Sequence, residues 1–196
     1  MAETIGRAPG ELAVVQSFVN TRDIEESTDE LADPVGLQAW LQRAGLSTEP
    51  IRPDPPTAAD LSDAIRLREA LRTVLRSHVT HGPVSSEPDE STDAAVELRQ
   101  ISARLPTVLE VADDGRVRLM PAGAGSQAAL AKILLIAAEA ATLGTWDRLK
   151  VCSADDCRWA FYDRSPTRNG CWCSMQICGA RAKSRAYRRR AVAAKR

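Results

Sequence analysis

The chain has 196 residues, 44% of them hydrophobic and 27% charged. That length suits one medium domain or one domain with a small appendage, and the apolar fraction excludes general disorder. The formal net charge of zero conceals a segregation: residues 148–196 hold 13 Lys/Arg against 3 Asp/Glu, a net +10, and residues 1–147 carry the balancing −10. An acidic body with a basic C-terminal module implies a polyanionic partner for the module, most often nucleic acid, unless the two halves simply attract each other.

The N-terminus, MAETIGRAPGEL, lacks the basic-then-apolar pattern of a secretion signal, so a cytoplasmic location is expected. Leu12, Val15, Phe18 and Val19 share one face at helical spacing, which predicts a helix over Glu11 to Asn20. Asp33-Pro34 forms an N-cap and first-turn proline for a second helix, whose apolar stripe is Leu37, Trp40 and Leu41 and whose stop is Gly45. Thr57 and Asp60 have the spacing of a capping box. Leu61, Ala64, Leu67, Leu71, Val74 and Leu75 continue that third helix along one face towards Gly82-Pro83. His78 and His81, the only histidines, fall at its end and are expected to be surface or cap residues.

PVSSEPDES, residues 83–91, is a polar linker with no core to bury. A shorter helix is expected around Asp93 to Leu105. TVLEV and RVRLM flank Ala112-Asp113-Asp114-Gly115, the pattern of a β-hairpin. The apolar run from Ser126 to Leu143 predicts a buried helix; broken by Lys132 and Glu139, it is too short to cross a bilayer, and no membrane partner is expected. The fold class is therefore α+β, mostly α: a helical N-terminal domain with one hairpin over residues 1–147, and a separate small module over 148–196.

All five cysteines lie in that module, at 152, 157, 171, 173 and 178. Four form matched pairs, Cys152-x4-Cys157 and Cys173-x4-Cys178, and two such pairs are the arrangement of a tetrahedral four-cysteine zinc site. The segment is also too small to fold well on its apolar surface alone. Disulfides or inert core thiols are the alternatives, disfavoured by the odd cysteine count and the expected cytosolic setting. Cys171 is left over, either a bystander or a thiol made reactive by the nearby cations Arg168 and Arg181. Trp159, Phe161, Tyr162 and Trp172 are expected to form the module's miniature core. Asp155 and Asp156 are expected as solvated turn residues.

From about Ala180 the composition favours helix, with Gly179 allowing a tight turn before it. Arg181, Arg185, Arg188 and Arg189 fall along one broad face of that helix, with Lys183 and Arg190 on another side. Arginine's planar fork suits phosphates and guanine edges, so these six residues are the candidate nucleic-acid contacts. The expected role is selective binding of double-stranded DNA. RNA binding, or docking on an acidic protein, are the rival readings. A catalytic zinc needs an open coordination position, which four thiolates do not leave, so an enzyme is not expected. Asn20, Arg68 and Arg72 are polar groups on otherwise apolar helices; they are candidates for lining an effector pocket, against the simpler reading that they cap, pair or face solvent. Duplex readers commonly bind as symmetric pairs, which makes a homodimer a further expectation.

LKVCSADDCRWAFYDRS followed by WCSMQICGARAKSRAYRRR resembles the CGNR zinc-finger module found at the C-terminus of bacterial proteins thought to be stress-induced transcription regulators. SFVNTRD, LQAWLQRAGL and LREALR resemble, in order, landmarks of the companion ABATE domain. The resemblance implies that Cys152, Cys157, Cys173 and Cys178 bind zinc, that the module binds DNA and that the helical domain senses or dimerises. The namesake motif here reads Cys178-Gly179-Ala180-Arg181, with alanine where the family usually has asparagine. Gly170-Cys171 stands where the family tends to carry arginine before the Trp-Cys pair. Both departures bear on DNA contacts and leave the zinc ligands untouched.

Overall fold

Helix α1, Leu12–Val19, buries Leu12, Val15, Phe18 and Val19, the face that the spacing selects. The computed structural model that places it describes residues 6–46, 55–80 and 91–193. A two-residue antiparallel ladder follows, β1 (Arg22–Asp23) with β2 (Thr28–Asp29). Helix α2 (Pro34–Arg43) starts where Asp33 accepts a hydrogen bond from the Gly36 N–H, and the chain leaves it through Gly45 at φ +67°, a left-handed conformation natural to glycine. Helix α3 (Ala58–Ser77) carries the full capping box between Thr57 and Asp60. His78 caps its C-terminus; His81 and the linker from Pro83 to Glu90 lie outside the described residues.

Helix α4 (Ser91–Ser102) leads into the hairpin of β3 (Thr107–Val111) and β4 (Val117–Pro121), with Leu109 opposite Leu119 and Val111 opposite Val117. Helix α5 (Gly125–Thr142) buries Leu130, Ile133 and Ile136 beside Ala128, Ala129 and Ala131. These alanines let α1, α2 and α3 approach it closely. Helix α3 touches α1, α2, α4 and α5, so it is the hub of the body.

After a single 3₁₀ turn at Trp146–Arg148 come β5 (Leu149–Val151) and β6 (Ala160–Tyr162), paired antiparallel. Neither strand is evident from the sequence, because three-residue strands show no periodicity. Leu149, Val151, Ala160 and Tyr162 belong to the main core with α1, α3 and α5, whereas Cys152, Ala154, Cys157 and Cys178 form a second cluster packed on Trp159 and Trp172. The four aromatic residues expected to make one miniature core are thus divided: Trp159 and Trp172 line the cysteine cluster, and Tyr162 joins the body.

Within the body the largest fully buried side chain is Arg68. Its guanidinium makes a two-point pair with Asp29 at 2.6 and 2.8 Å, and also donates to the Thr21 hydroxyl and to Glu69. Partial burial works to raise the Asp29 carboxyl, but the hydrogen bonds from Arg68 and from the Leu31 N–H outweigh it and hold that carboxyl below its ordinary value. A carboxylate depressed in the folded state stabilises above its unfolded pKa, and the stabilisation disappears as pH falls through the folded one. Asp29→Asn is expected to cost about 2–3 kcal/mol at neutral pH, because the buried guanidinium loses its charged acceptor. Urea titrations should show the gap from wild type intact at pH 5 and closing only below about pH 4.

Candidate metal centre and basic helix

The cysteines reach one point from three local structures. Cys152 leaves β5, and its N–H donates to the Trp159 carbonyl at 2.9 Å, so the ladder continues one residue into the ligand loop. Cys157 closes a turn in which its N–H donates to the Ala154 carbonyl, and Arg158 at φ +50° turns the chain back into β6. Cys173 precedes a π-helical turn, Met175–Gly179, that carries Cys178. The Ser174 side chain caps that turn by accepting from the Ile177 N–H. Such widened turns concentrate at functional sites.

The four sulfur atoms lie within 4.8 Å of one another. Cys157 to Cys173 and Cys173 to Cys178 are each 3.7 Å. A tetrahedron with Zn–S arms of 2.3 Å has edges of about 3.8 Å, so the donor set and its spacing fit zinc. Four thiolates fill its coordination sphere, which makes the centre structural. The unshared protons tell the same story. Hydrogen bonds from Cys152 and Cys173 stabilise a thiolate on Cys157 and lower it to about 2. Cys152 is driven up to about 12 by its bond to Cys157; Cys173 is raised by the same two neighbours, and Cys178 by burial and the Cys157 charge.

Cys171 stands apart from the four. Burial raises its thiol, against the lowering influence of Lys150, so neighbouring cations do not activate it as charge proximity alone suggests. Lys150, 1% exposed, donates to Asp163 at 2.9 Å and to the carbonyls of Arg168 and Gly170. Asp163 also accepts from the N–H groups of Ser165 and Gly170; despite its burial, these bonds lower its carboxyl to about 2. A Cβ at Gly170 would stand 2.9 Å from that carboxyl carbon, which accounts for glycine there. Gly179 has no left-handed φ; a Cβ there would meet the Met175 sulfur at 2.9 Å. Turn geometry is therefore not what selects glycine at that position.

Helix α6, Ala180–Ala193, continues directly from the π turn. Arg181, Lys183, Arg188, Arg189 and Arg190 are exposed and Arg185 half-buried. Arg181, Arg185 and Arg188 line one shallow groove with Ser184 and Gln176. Two of the six cations have acidic partners: Arg181 pairs with Glu25 of the β1–β2 turn at 2.6 Å, and Arg185 with Asp156 at 3.1 Å. Asp155 pairs with Arg76 of α3. The two aspartates expected as solvated turn residues thus both make ion pairs. Tyr187 is exposed.

The three residues considered for an effector pocket all make hydrogen bonds within the protein. Asn20 meets β6 edge-on: its Nδ2 donates to the Ala160 carbonyl at 2.9 Å and its Oδ1 accepts the Ala160 N–H at 2.7 Å. Gln16 adds a donor to the same carbonyl. Arg72 donates to the Arg158 carbonyl at 2.8 Å and the Val19 carbonyl at 2.6 Å. Arg68 lies beside it in the Asp29 pair. Only Asn20 lines an open groove of about 600 Å³, which runs over Ala13, Val14, Trp40 and Trp159 with Arg7 at its rim.

Fold and centre define a helical body fused to a C-terminal four-thiolate zinc finger that ends in a basic helix. Residues 12–145 match the ABATE domain, described as "Putative stress-induced transcription regulator", and residues 148–191 match the CGNR zinc finger. The chain belongs to the ABATE family and carries its zinc finger in the order the resemblance implies. A comparison with curated proteins returned no match. Neither family description names an enzyme, and among the described residues no helix is long and apolar enough to cross a membrane.

Elemental analysis should find one zinc per chain, kept by Cys171→Ser and lost by Cys152→Ser or Cys178→Ser. Metal uptake at pH 7 should release a measurable number of protons, because the raised thiols of Cys152, Cys173 and Cys178 must give theirs up to ligate. Calorimetry in buffers of different ionisation enthalpy measures that number.

Proposed function

We propose that this protein is a transcription regulator that binds duplex DNA through α6, with the helical body as its sensing unit. The observation that carries the reading is the arginine face of α6, anchored at its first residue to the metal-clamped turn. A helix that packs mainly on that turn and exposes Lys183, Arg188, Arg189 and Arg190 is narrow enough to enter a major groove. Arginine forks can contact phosphates and guanine edges there. The family description supports a regulatory role.

An effector would act through the groove beside Asn20. Its wall includes Trp159, two residues after Cys157, and the α1 residues Gln16 and Asn20 that hold β6. A molecule seated there would touch body and finger at once. Arg68 and Arg72, committed to Asp29 and to backbone carbonyls, would transmit such an event from beneath the seam and need not touch the ligand.

If about six phosphates are neutralised, log K should fall with log salt at a slope of about −5. Arg188→Ala or Arg189→Ala should each reduce that slope by about one and leave zinc content unchanged. A flat salt dependence, or stronger competition by structured RNA than by duplex DNA, would remove the proposal. Glu25 competes with phosphate for Arg181, so Glu25→Gln should tighten binding several-fold at low salt, an effect that screening erases at high salt. Fluorescence anisotropy with a short duplex reads both.

A further inference from the structure

The β3–β4 hairpin leaves an apolar face in water. Leu109 and Leu119 form one cross-strand pair and Val111 and Val117 another, and side chains two residues apart point to the same side. These four are exposed by 64%, 55%, 63% and 59% respectively. Together they leave roughly 400 Å² of contiguous apolar surface, within the range that marks an interaction site and not scattered surface residues. The hairpin meets α5 through β4, and among the described residues nothing covers the leucine-valine face. A two-stranded hairpin is marginal by itself and normally needs its apolar face packed.

The charges around the face narrow the choice of occupant. Glu110 and Arg118 occupy the opposite face and pair with each other at 3.4 Å, and Arg116 pairs with Asp114 at the turn. The patch thus offers a nucleic acid or an acidic protein no field to follow. It is, in contrast, matched to itself. Each cross-strand pair is like on like, so a two-fold rotation lays leucines and valines on leucines and valines without stranding a charge. The chain segments outside the described residues, such as STEPIRPD and HGPVSSEPDE, are polar and supply no comparable apolar strip. Two such faces together remove about 800 Å² from these side chains alone. With Thr107 and Pro121, the cross-strand pair that shares this face, at its edge, this approaches the lower bound of about 1,200 Å² for a specific interface.

We infer that the partner is a second copy of this chain, with the two hairpins packed face to face through Leu109, Val111, Val117 and Leu119. The inference deepens the DNA-binding proposal only in supplying the two-fold symmetry that paired half-sites require. Its test contains no nucleic acid, so the two readings fail separately.

Sedimentation equilibrium of the zinc-loaded full chain should show a dimer at micromolar concentration. Leu109→Asp and Leu119→Asp should each weaken it by at least about 30-fold, with zinc content and helical circular dichroism unchanged. Glu110→Ser, on the opposite face, should leave the dimer intact. A wild-type monomer at 100-fold higher concentration would overturn the inference, as would a dimer that tolerates both aspartates. If an aspartate variant fails to fold, benzoylphenylalanine in place of Leu109 decides: photo-crosslinks should map to residues 107–121 of another copy. Crosslinks elsewhere, or none, would overturn it.

Discussion

Four sulfur atoms within 4.8 Å of one another cannot all be charged unless a cation lies among them, and cannot all be protonated without forfeiting their strongest hydrogen bonds. That constraint underlies the C-terminal fifth of the molecule. The second core cluster contains little besides the cysteines, Ala154 and the two flanking tryptophans, which is too little apolar surface to order some forty residues. The ion supplies what burial cannot: it joins the loop after β5 to the turn before α6. The direction in which α6 leaves the protein is therefore set by metal coordination, not by packing along its length.

The finger is also joined to the body, by the apolar side chains of β5 and β6 in the main core and by side chains of the body that bond the finger's backbone. Ala160 offers its N–H and its carbonyl to the single amide of Asn20, which occupies the place of a neighbouring strand. The chain at Gly6 meets Tyr162 on the same strand. Arg72 and His78 take the carbonyls of Arg158 and Leu149; because a carbonyl only accepts, His78 holds its proton on Nδ1. Asn20, Arg72 and His78 sit on α1 or α3 or at their ends, the two helices that also carry much of the apolar core. A shift between α1 and α3 of even an ångström would misplace bonds made at 2.6 to 2.9 Å and would be felt at β6. The body and the finger thus share hydrogen bonds and core packing along β5 and β6.

The sequence reveals some layers of this structure and not others, for physical reasons. Capped and periodic elements are legible, because Thr57 and Asp60 or Leu12 and Val15 act within their own few residues. The ligands are legible because two Cys-x4-Cys pairs close together are the arrangement of a four-thiolate metal site. What is illegible depends on distance along the chain. Strands β5 and β6 exist because Leu149 and Tyr162 reach a core built over a hundred residues earlier. Asn20, Arg68 and Arg72 stand out as polar groups on apolar faces, but their partners come from segments up to 140 residues away. The landmarks SFVNTRD and LREALR contain these three residues, and the structure places both landmarks at the seam and its supporting ion pair. The hairpin's exposed face was hidden for the opposite reason: strand-like alternation indicates that one face is apolar, but not whether anything covers it.

The charge segregation acquires a graded meaning in the folded protein. The acidic body reaches the basic helix at its first turn, where Glu25 meets Arg181, and the finger's own ligand loop holds the next arginine, Asp156 meeting Arg185. Such part-exposed pairs are weak, and weaker still in salt. They are too weak to fold the helix away, and strong enough to bias its first turn towards the body when no polyanion is near. Beyond Arg185 the same helix presents Arg188, Arg189 and Arg190 without an acidic partner among the described residues. A polyanion would therefore meet the free distal cations first and displace the proximal pairs second. In that order the approach is long-range and electrostatic, and the final fit requires two local bonds to be exchanged for better ones. On the DNA-binding proposal, attraction between the two halves and recognition of a charged polymer would be successive uses of one helix and not rival explanations of the same charges.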